Sequence, residues 1–231
     1  MKRSEINALI KKSEAFIASF QFALPPFCNW SPEDWKTKGH ECDEIRDNML
    51  GWDITDYGLG KFETYGMILI TIRNGNQNNP KYTKPYAEKL LISEEEQVCT
   101  MHFHWNKQED IINRGGGILC MQLYNSTADE ELDKINDVHF VSDGVEKSIP
   151  AGTILELAPG ESITLMPGIY HSFQAKKGCG KCLIGEVSKC NDDNADNRFL
   201  EKMGRFSTIE EDVPIYRYLC NEYPAAKRRR F

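Results

Sequence analysis

Two of the chain's five histidines flank a single phenylalanine in TMHFHWNKQEDIINRGGG, Thr100 to Gly117. Residues two apart in a strand face the same side, so His102 and His104 share one face while Met101, Phe103 and Trp105 take the other. The strand rise puts the two imidazoles about 7 Å apart, a span suited to a shared ion. Glu109 follows after a short connection and can fold back into the same mouth. His40 lies in a Gly-interrupted helical segment and His139 in an outer-strand pattern, whereas His171, in LMPGIYHSF, starts a strand just past a Pro-Gly turn. Three neutral imidazoles and one carboxylate form a mixed nitrogen and oxygen shell for a borderline divalent ion, with open positions left for a reactant.

Those residues need a rigid frame. From Gly66 the sequence turns to β texture: YGMILITIRNG, YAEKLLIS, VCTMHFHW, GILCMQLYN, VHFVSDG, TILELAPG, SITLMPG, YHSFQAKKG and KCLIGEVS, punctuated by Gly, Pro, Asn or Asp turns. That pitch predicts an antiparallel sandwich or barrel. The first 65 or so residues differ. A helix over about 4–20 carries Ile6, Leu9, Ile10, Phe16, Ile17 and Phe20 at helical spacing. Ser31 then caps a short helix beginning at Pro32, DEIRDNML adds another, and GWDITDYGLG reads as a turn-rich connection. The last 40 residues return to polar, helix- and loop-like sequence. The expectation is one domain over 1–231: a helical elaboration (1–65), a β-barrel core (66–190) and a C-terminal flap and tail (191–231).

Composition narrows the function. The formal net charge of −7 gives no general attraction for nucleic acid or anionic lipid. The basic tail Lys227 to Phe231 reads as a solvated terminus. No apolar run approaches a membrane span, and the charged N-terminus lacks a secretory h-region, so a cytoplasmic protein is expected. Eight scattered cysteines then read as reduced thiols, with Cys179 and Cys182 in a hairpin turn. RGGG, Arg114 to Gly117, reads as a bend between strands and not as a phosphate loop.

HFHWNKQEDIINRGG resembles the first cupin motif, with His102, His104, Glu109 and Gly116 in its spacing; PGESITLMPGIYHSF resembles the second, with Gly160, Pro167, Gly168 and His171. The chain departs from these motifs at Glu96, in the shortened Pro-Gly and at Ala175, positions that shape turns and bind no metal. GHECDEIRDNMLGWDITDYGLG, RNGNQ, KPYAEKLLI, LYNSTADE and GEVSKCNDDNADNRF extend the likeness over nearly the whole chain, which resembles the cupin-type D-lyxose isomerases. The resemblance implies an all-β cupin (jelly-roll) barrel with helical additions. It also implies a manganese-preferring homodimeric enzyme that interconverts D-lyxose and D-xylulose, and often D-mannose and D-fructose. Imidazole and carboxylate ligands equally admit Zn2+, Co2+, Fe2+ or Ni2+.

Moving a carbonyl between C1 and C2 of a sugar requires a charge-stabilising cation, a base for the C–H proton and a group that handles the hydroxyl proton. His102, His104, Glu109 and His171 are the expected metal ligands. Lys107 is placed as substrate contact and proton-transfer partner. Lys89 in YAEKLLIS is either an edge residue or, as the resemblance favours, a substrate contact. Two glutamates compete as base: Glu201, expected to act with Lys107 from a closing flap, and Glu186 in LIGEVS, expected in the pocket. Asp193 and Arg205, with Asp192 and Asp196, are candidate partners of sugar hydroxyls or caps of the flap's turns. A non-haem iron dioxygenase and a non-catalytic sugar-binding cupin remain as alternatives; several lysines and acids in the pocket suit a polyol better than an apolar substrate.

Overall fold

The computed structural model describes residues 1–192 and 195–226. Helix α1 (Arg3–Ser19) is followed by the short helices α2 (Pro32–Trp35) and α3 (Asp43–Asp47). Seven strands come next: β1 (Gly51–Thr55), β2 (Met67–Arg73), β3 (Tyr86–Ser93), β4 (Cys99–Phe103), β5 (Glu109–Gly116), β6 (Leu119–Ser126) and β7 (Leu132–Asp133). Seven more complete the described chain: β8 (Val138–Ser142), β9 (Val145–Ile149), β10 (Ile154–Leu157), β11 (Ser162–Leu165), β12 (Ile169–Ala175), β13 (Cys182–Lys189) and β14 (Arg198–Phe199).

The large sheet runs β1-β2-β3-β13-β5-β11-β8-β9 and the small sheet β10-β6-β12-β4-β14, with β7 beside β6. The two sheets face each other as a jelly-roll cup. Leu91, Ile111 and Ile163 from the large sheet pack against Leu119, Met121, Leu123 and Phe173 from the small one. A second core lies behind the large sheet, where Ile6, Ile10 and Ile17 of α1 meet Ile68, Ile70, Leu90, Ile92 and Leu183. This double burial explains why MILITIR and KLLIS read as continuous apolar runs: neither face of β2 or β3 meets water along its middle.

The helix over 4–20 and all nine quoted strand segments are present. Ser31 caps α2, accepting from the Asp34 amide at 3.2 Å. All eight cysteines are free thiols; Cys179 sits in the turn between β12 and β13 as expected, but Cys182 is the first residue of β13 and not part of the turn. Among the described residues no helix is long and apolar enough to cross a membrane.

Three expectations are corrected. GWDIT is strand β1 and joins the large sheet beside β2, so the first 65 residues are not purely helical. The tail contains no helix among its described residues; its short strand β14 pairs with β4. EDIINRGG is strand β5, pairing with both β13 and β11, so RGGG is the end of a strand and not only a bend. Its buried face carries Glu109 and Asn113 among apolar neighbours, which hides the usual alternation. Gly116 there has φ +93°, and a Cβ would lie 2.2 Å from the carbonyl oxygen of Lys181. The basic tail Lys227 to Phe231 lies outside the described residues.

Candidate metal centre and active site

His102 lies on β4 directly opposite His171 on β12. His104 follows just past the end of β4, where the chain leaves the sheet but keeps its side chain inward. The ring centroids are 4.2 Å apart for His102 and His171, 5.1 Å for His102 and His104, and 5.7 Å for His104 and His171. One nitrogen from each ring lies within 4.8 Å of the others.

Each ring is fixed from behind. Nδ1 of His102 donates to the Thr100 carbonyl at 2.7 Å, Nδ1 of His104 to the Asp196 carbonyl at 2.8 Å, and Nδ1 of His171 to the Ile169 carbonyl at 3.0 Å. A carbonyl oxygen only accepts, so each Nδ1 carries the proton and each neutral ring turns the lone pair of Nε2 into the cup. Glu109, the first residue of β5, brings its Oε1 to 3.1 Å from His171 Nε2 and 3.4 Å from His104 Nε2. Electron pairs therefore face electron pairs with no proton between them. Nε2 of His104 is buried without a hydrogen-bond partner. A cation resolves this arrangement, and the donor set of three imidazoles and a carboxylate fits a divalent transition metal. Burial, followed by the neighbouring His171 and His104, pushes the His102 imidazole well below its usual range, which favours the neutral, ligating form.

A charge relay adjoins the imidazoles. Lys107 Nζ lies 2.7 Å from Glu109 Oε2 and donates to Glu186 Oε1 at 3.0 Å. Lys89 Nζ lies 3.4 Å from the same Glu186 oxygen and donates to Asn191 Oδ1 at 2.8 Å. Strand pairing explains the meeting: Glu186 on β13 is the direct partner of Lys89 on β3 and of Ile111 on β5. All four charged groups are buried, with exposures of 2 to 4 %. Two cations and two anions satisfy one another where single charges would be too costly. Burial pushes the Glu109 carboxyl up, but Lys107 and then His104 more than offset it and hold Glu109 well below the carboxylate range.

The cup holds an open cleft spanning about 540 Å³, solvent at its mouth included. Besides the histidines, Lys89, Lys107, Glu109 and Glu186, it is lined by Tyr57, Cys99 and, from the C-terminal segment, Asn197, Phe199 and Arg205. Phe199 covers His102 with ring centroids 5.4 Å apart. Arg205 pairs with Asp53 on β1.

The structure thus brings together His102, His104, Glu109, His171, Lys89, Lys107, Glu186 and Arg205. It does not bring Glu201. Because β14 pairs with β4 as a strand, Phe199 faces the cup, while Leu200 and Glu201 pass to the outer surface of the small sheet. There Glu201 is exposed and lines a groove with Met101 and Ser172, the outward neighbours of the inward histidines. The expectation that Glu201 closes over a sugar is corrected accordingly. Asp196 is a cap: its carboxylate accepts from the amides of Asn106 and Lys107, both at 2.8 Å, tying the flap to the turn that carries Lys107. Asp192 lines a neighbouring chamber, and Asp193 lies outside the described residues. The sequence reading missed Asn191, Tyr57, Cys99 and Phe199. Only a strand assignment for the flap could have pointed Phe199 inward, and no local signal marks the others.

A family model described as D-lyxose isomerase matches residues 1–223. A D-lyxose/D-mannose isomerase of Escherichia coli O157:H7 is 45% identical over 224 residues, covering 96% of this chain and 98% of that protein. One from Serratia proteamaculans is 46% identical over 224 residues, again covering 96% and 98%. Among solved structures, an L-ribose isomerase of Geodermatophilus obscurus superposes with a TM-score of 0.61 at 15% identity, covering 91% of this chain and 98% of that one. At that identity the likeness concerns the fold alone, a cupin-type barrel.

Proposed function

Because the chain belongs to the D-lyxose isomerase family and is a sugar isomerase, we propose that it interconverts D-lyxose with D-xylulose, and D-mannose with D-fructose, by metal-assisted proton transfer between C1 and C2. The observation that carries this reading is the convergence of Nε2 lone pairs from His102, His104 and His171 with Glu109, beside the buried Lys107–Glu186–Lys89 cluster. These four residues would hold a divalent ion, Mn2+ by family resemblance, with Zn2+, Co2+, Fe2+ or Ni2+ as alternatives. Such an ion supplies Lewis-acid polarisation of the sugar carbonyl when bound.

The chain's own groups do the rest. Glu186 takes the proton from the carbon beside the carbonyl and returns it to the neighbouring carbon, as a buried carboxylate facing the cleft can do. Lys107 sits between Glu109 and Glu186 and transfers the hydroxyl proton as the carbonyl migrates. Lys89 steadies Glu186 from the β3 side, and Arg205 reaches the sugar's hydroxyls from the flap. Phe199 and Tyr57 exclude water around the reacting carbons. The family resemblance adds a homodimer, so sedimentation should give twice the 26.5 kDa chain mass.

The test is anaerobic conversion of D-lyxose to D-xylulose by purified protein supplied with Mn2+. Turnover should stop on chelation by EDTA and return with metal. His104→Ala should lose both bound metal and turnover. Full metal content in that variant, or oxygen uptake without ketose, would overturn the proposal.

A further inference from the structure

The connection from β4 to β5, residues 104–108, carries His104 and Lys107 and delivers the chain to Glu109. It belongs to no strand or helix, so no ladder fixes its path. Its ends are tied by their carbonyls: that of His104 accepts from the Gly168 amide and that of Gln108 from the Lys189 amide, both at 3.0 Å. Between those ends Trp105 and Asn106 turn out to solvent, and Lys107 turns back in to become 3 % exposed. A backbone that reverses in this way needs partners for its inner amides.

One residue supplies them all. Asp196 accepts from the Asn106 amide with Oδ1 and from the Lys107 amide with Oδ2, each at 2.8 Å. Its Oδ1 also accepts from the Asn106 side chain at 3.2 Å, and its main-chain carbonyl accepts from Nδ1 of His104 at 2.8 Å. A buried carboxylate that accepts from two successive amides makes charge-assisted bonds, stronger than neutral ones. The other two rings are locked within their own strands, His102 by Thr100 and His171 by Ile169, each two residues back. His104 lies past the end of β4 and takes its carbonyl from a segment 92 residues away.

We propose that Asp196 is a positioning residue of this site, which aims His104 at the ion and sets Lys107 between Glu109 and Glu186. Asp196 does not line the cleft, so it acts through those two neighbours and not on a sugar. Its carbonyl fixes the tautomer and tilt of the His104 ring, the kind of support that tunes metal affinity. Its carboxylate sets the backbone from which Lys107 Nζ reaches Glu109 Oε2 at 2.7 Å and Glu186 Oε1 at 3.0 Å. Small displacements of such a group are costly to a proton transfer. The C-terminal segment is therefore part of the metal centre as well as its cover. The Lys107 half of this inference rests on the isomerase reading; the His104 half rests on the ligand geometry alone.

Three readouts on the full chain test this. In EDTA-treated wild type the His104 Nδ1 proton should give an exchange-protected NMR resonance, and Asp196→Ala should lose it. Asp196→Ala should also raise the Kd for Mn2+ about tenfold. With Mn2+ and D-lyxose its kcat should fall at least about tenfold, with KM within about threefold. Asp196→Asn, equal in size, turns an NH2 group toward one of the two amides and should fall between wild type and Ala, which covers an Ala variant that does not fold. Arg198→Met cuts the same segment's pair with Glu130 and should leave the Mn2+ Kd within about twofold. If wild type isomerises sugar but the folded Asp196 variants keep the resonance, the Kd and kcat, the positioning role falls and the isomerase stands. Equal weakening of Mn2+ by Arg198→Met would assign the effect to docking of the whole segment and overturn the role of Asp196. If no sugar is isomerised yet Asp196→Ala loses the resonance and weakens Mn2+, the positioning of His104 stands and the isomerase falls.

Discussion

An imidazole whose Nδ1 proton is held by a carbonyl can act only through Nε2, and here three such rings aim Nε2 at one point. That property was partly legible: the HxH spacing fixed a shared face, and a Pro-Gly turn brought His171 to a strand start. The carbonyls that lock the rings were not legible, because the Asp196 carbonyl comes from a flap 92 residues away. The two glutamates show the same divide. Glu186 faces inward because its strand pairs on both sides with inward-facing partners, whereas Glu201 depends on a two-residue strand that no local pattern announces. The contrast is testable by kinetics with matched variants. Glu186→Gln keeps shape and hydrogen bonding but loses the proton acceptor, so kcat should fall by about 10²–10⁴ with metal content unchanged. Glu201→Gln, on the outer surface, should stay within about twofold of wild type. Equal losses in both would return the flap glutamate to the chemistry.

At the scale of elements, most strands announced themselves even where they carry functional side chains, as β4 does with His102, but β5 did not. β2, β3 and β13 carry enough β-branched and leucine residues to be read directly. β5 turns Glu109 and Asn113 inward, one toward the histidines and the other to bond the carbonyls of Gly117 and Leu157. A sequence that spends its buried positions on a ligand and a structural amide looks like a loop. The end of β5 is equally constrained. Gly115 and Gly116 both have positive φ, and the register against β13 shifts beside them, which lets the strand turn away at the closed end of the cup. Gly116→Val combines a disfavoured φ with a Cβ forced against the Lys181 carbonyl. The expected cost is at least about 2 kcal/mol, lowering Tm by roughly 4–8 °C. An unchanged melting curve would show that the bulge has room that the backbone does not suggest.

For the molecule as a whole, the two ends of the chain form one layer on the back of the barrel. The amino group of Met1 donates to the Thr208 carbonyl at 2.8 Å, Ser4 bonds Asp212, and Asn7 donates to the Pro214 carbonyl at 2.9 Å. Arg3, fully buried at its side chain, bridges Glu211 and Glu222. This layer keeps α1 on the outer core, and the same C-terminal segment supplies Asn197, Phe199 and Arg205 to the cleft, so the back of the barrel and the mouth of the cup share one strap. The amphipathic face of α1 was readable from its isoleucines; its partner in the tail was not, since acidic and proline-rich residues give no periodicity to match. The strap has a pH signature. The hydrogen bond from Arg3 holds the Glu211 carboxyl below its usual 4.5. A folded pKa below the unfolded one contributes stability that is present above pH 4.5 and lost as pH falls through the folded value. Arg3→Met removes that contribution and leaves Glu222 without its cation, so the variant should melt lower than wild type near neutrality. Because wild type alone loses the Glu211 contribution on acidification, the gap in Tm should narrow between about pH 5 and pH 3. A gap that stays constant across that range would mean that Arg3 stabilises by packing its side chain and not by its charge.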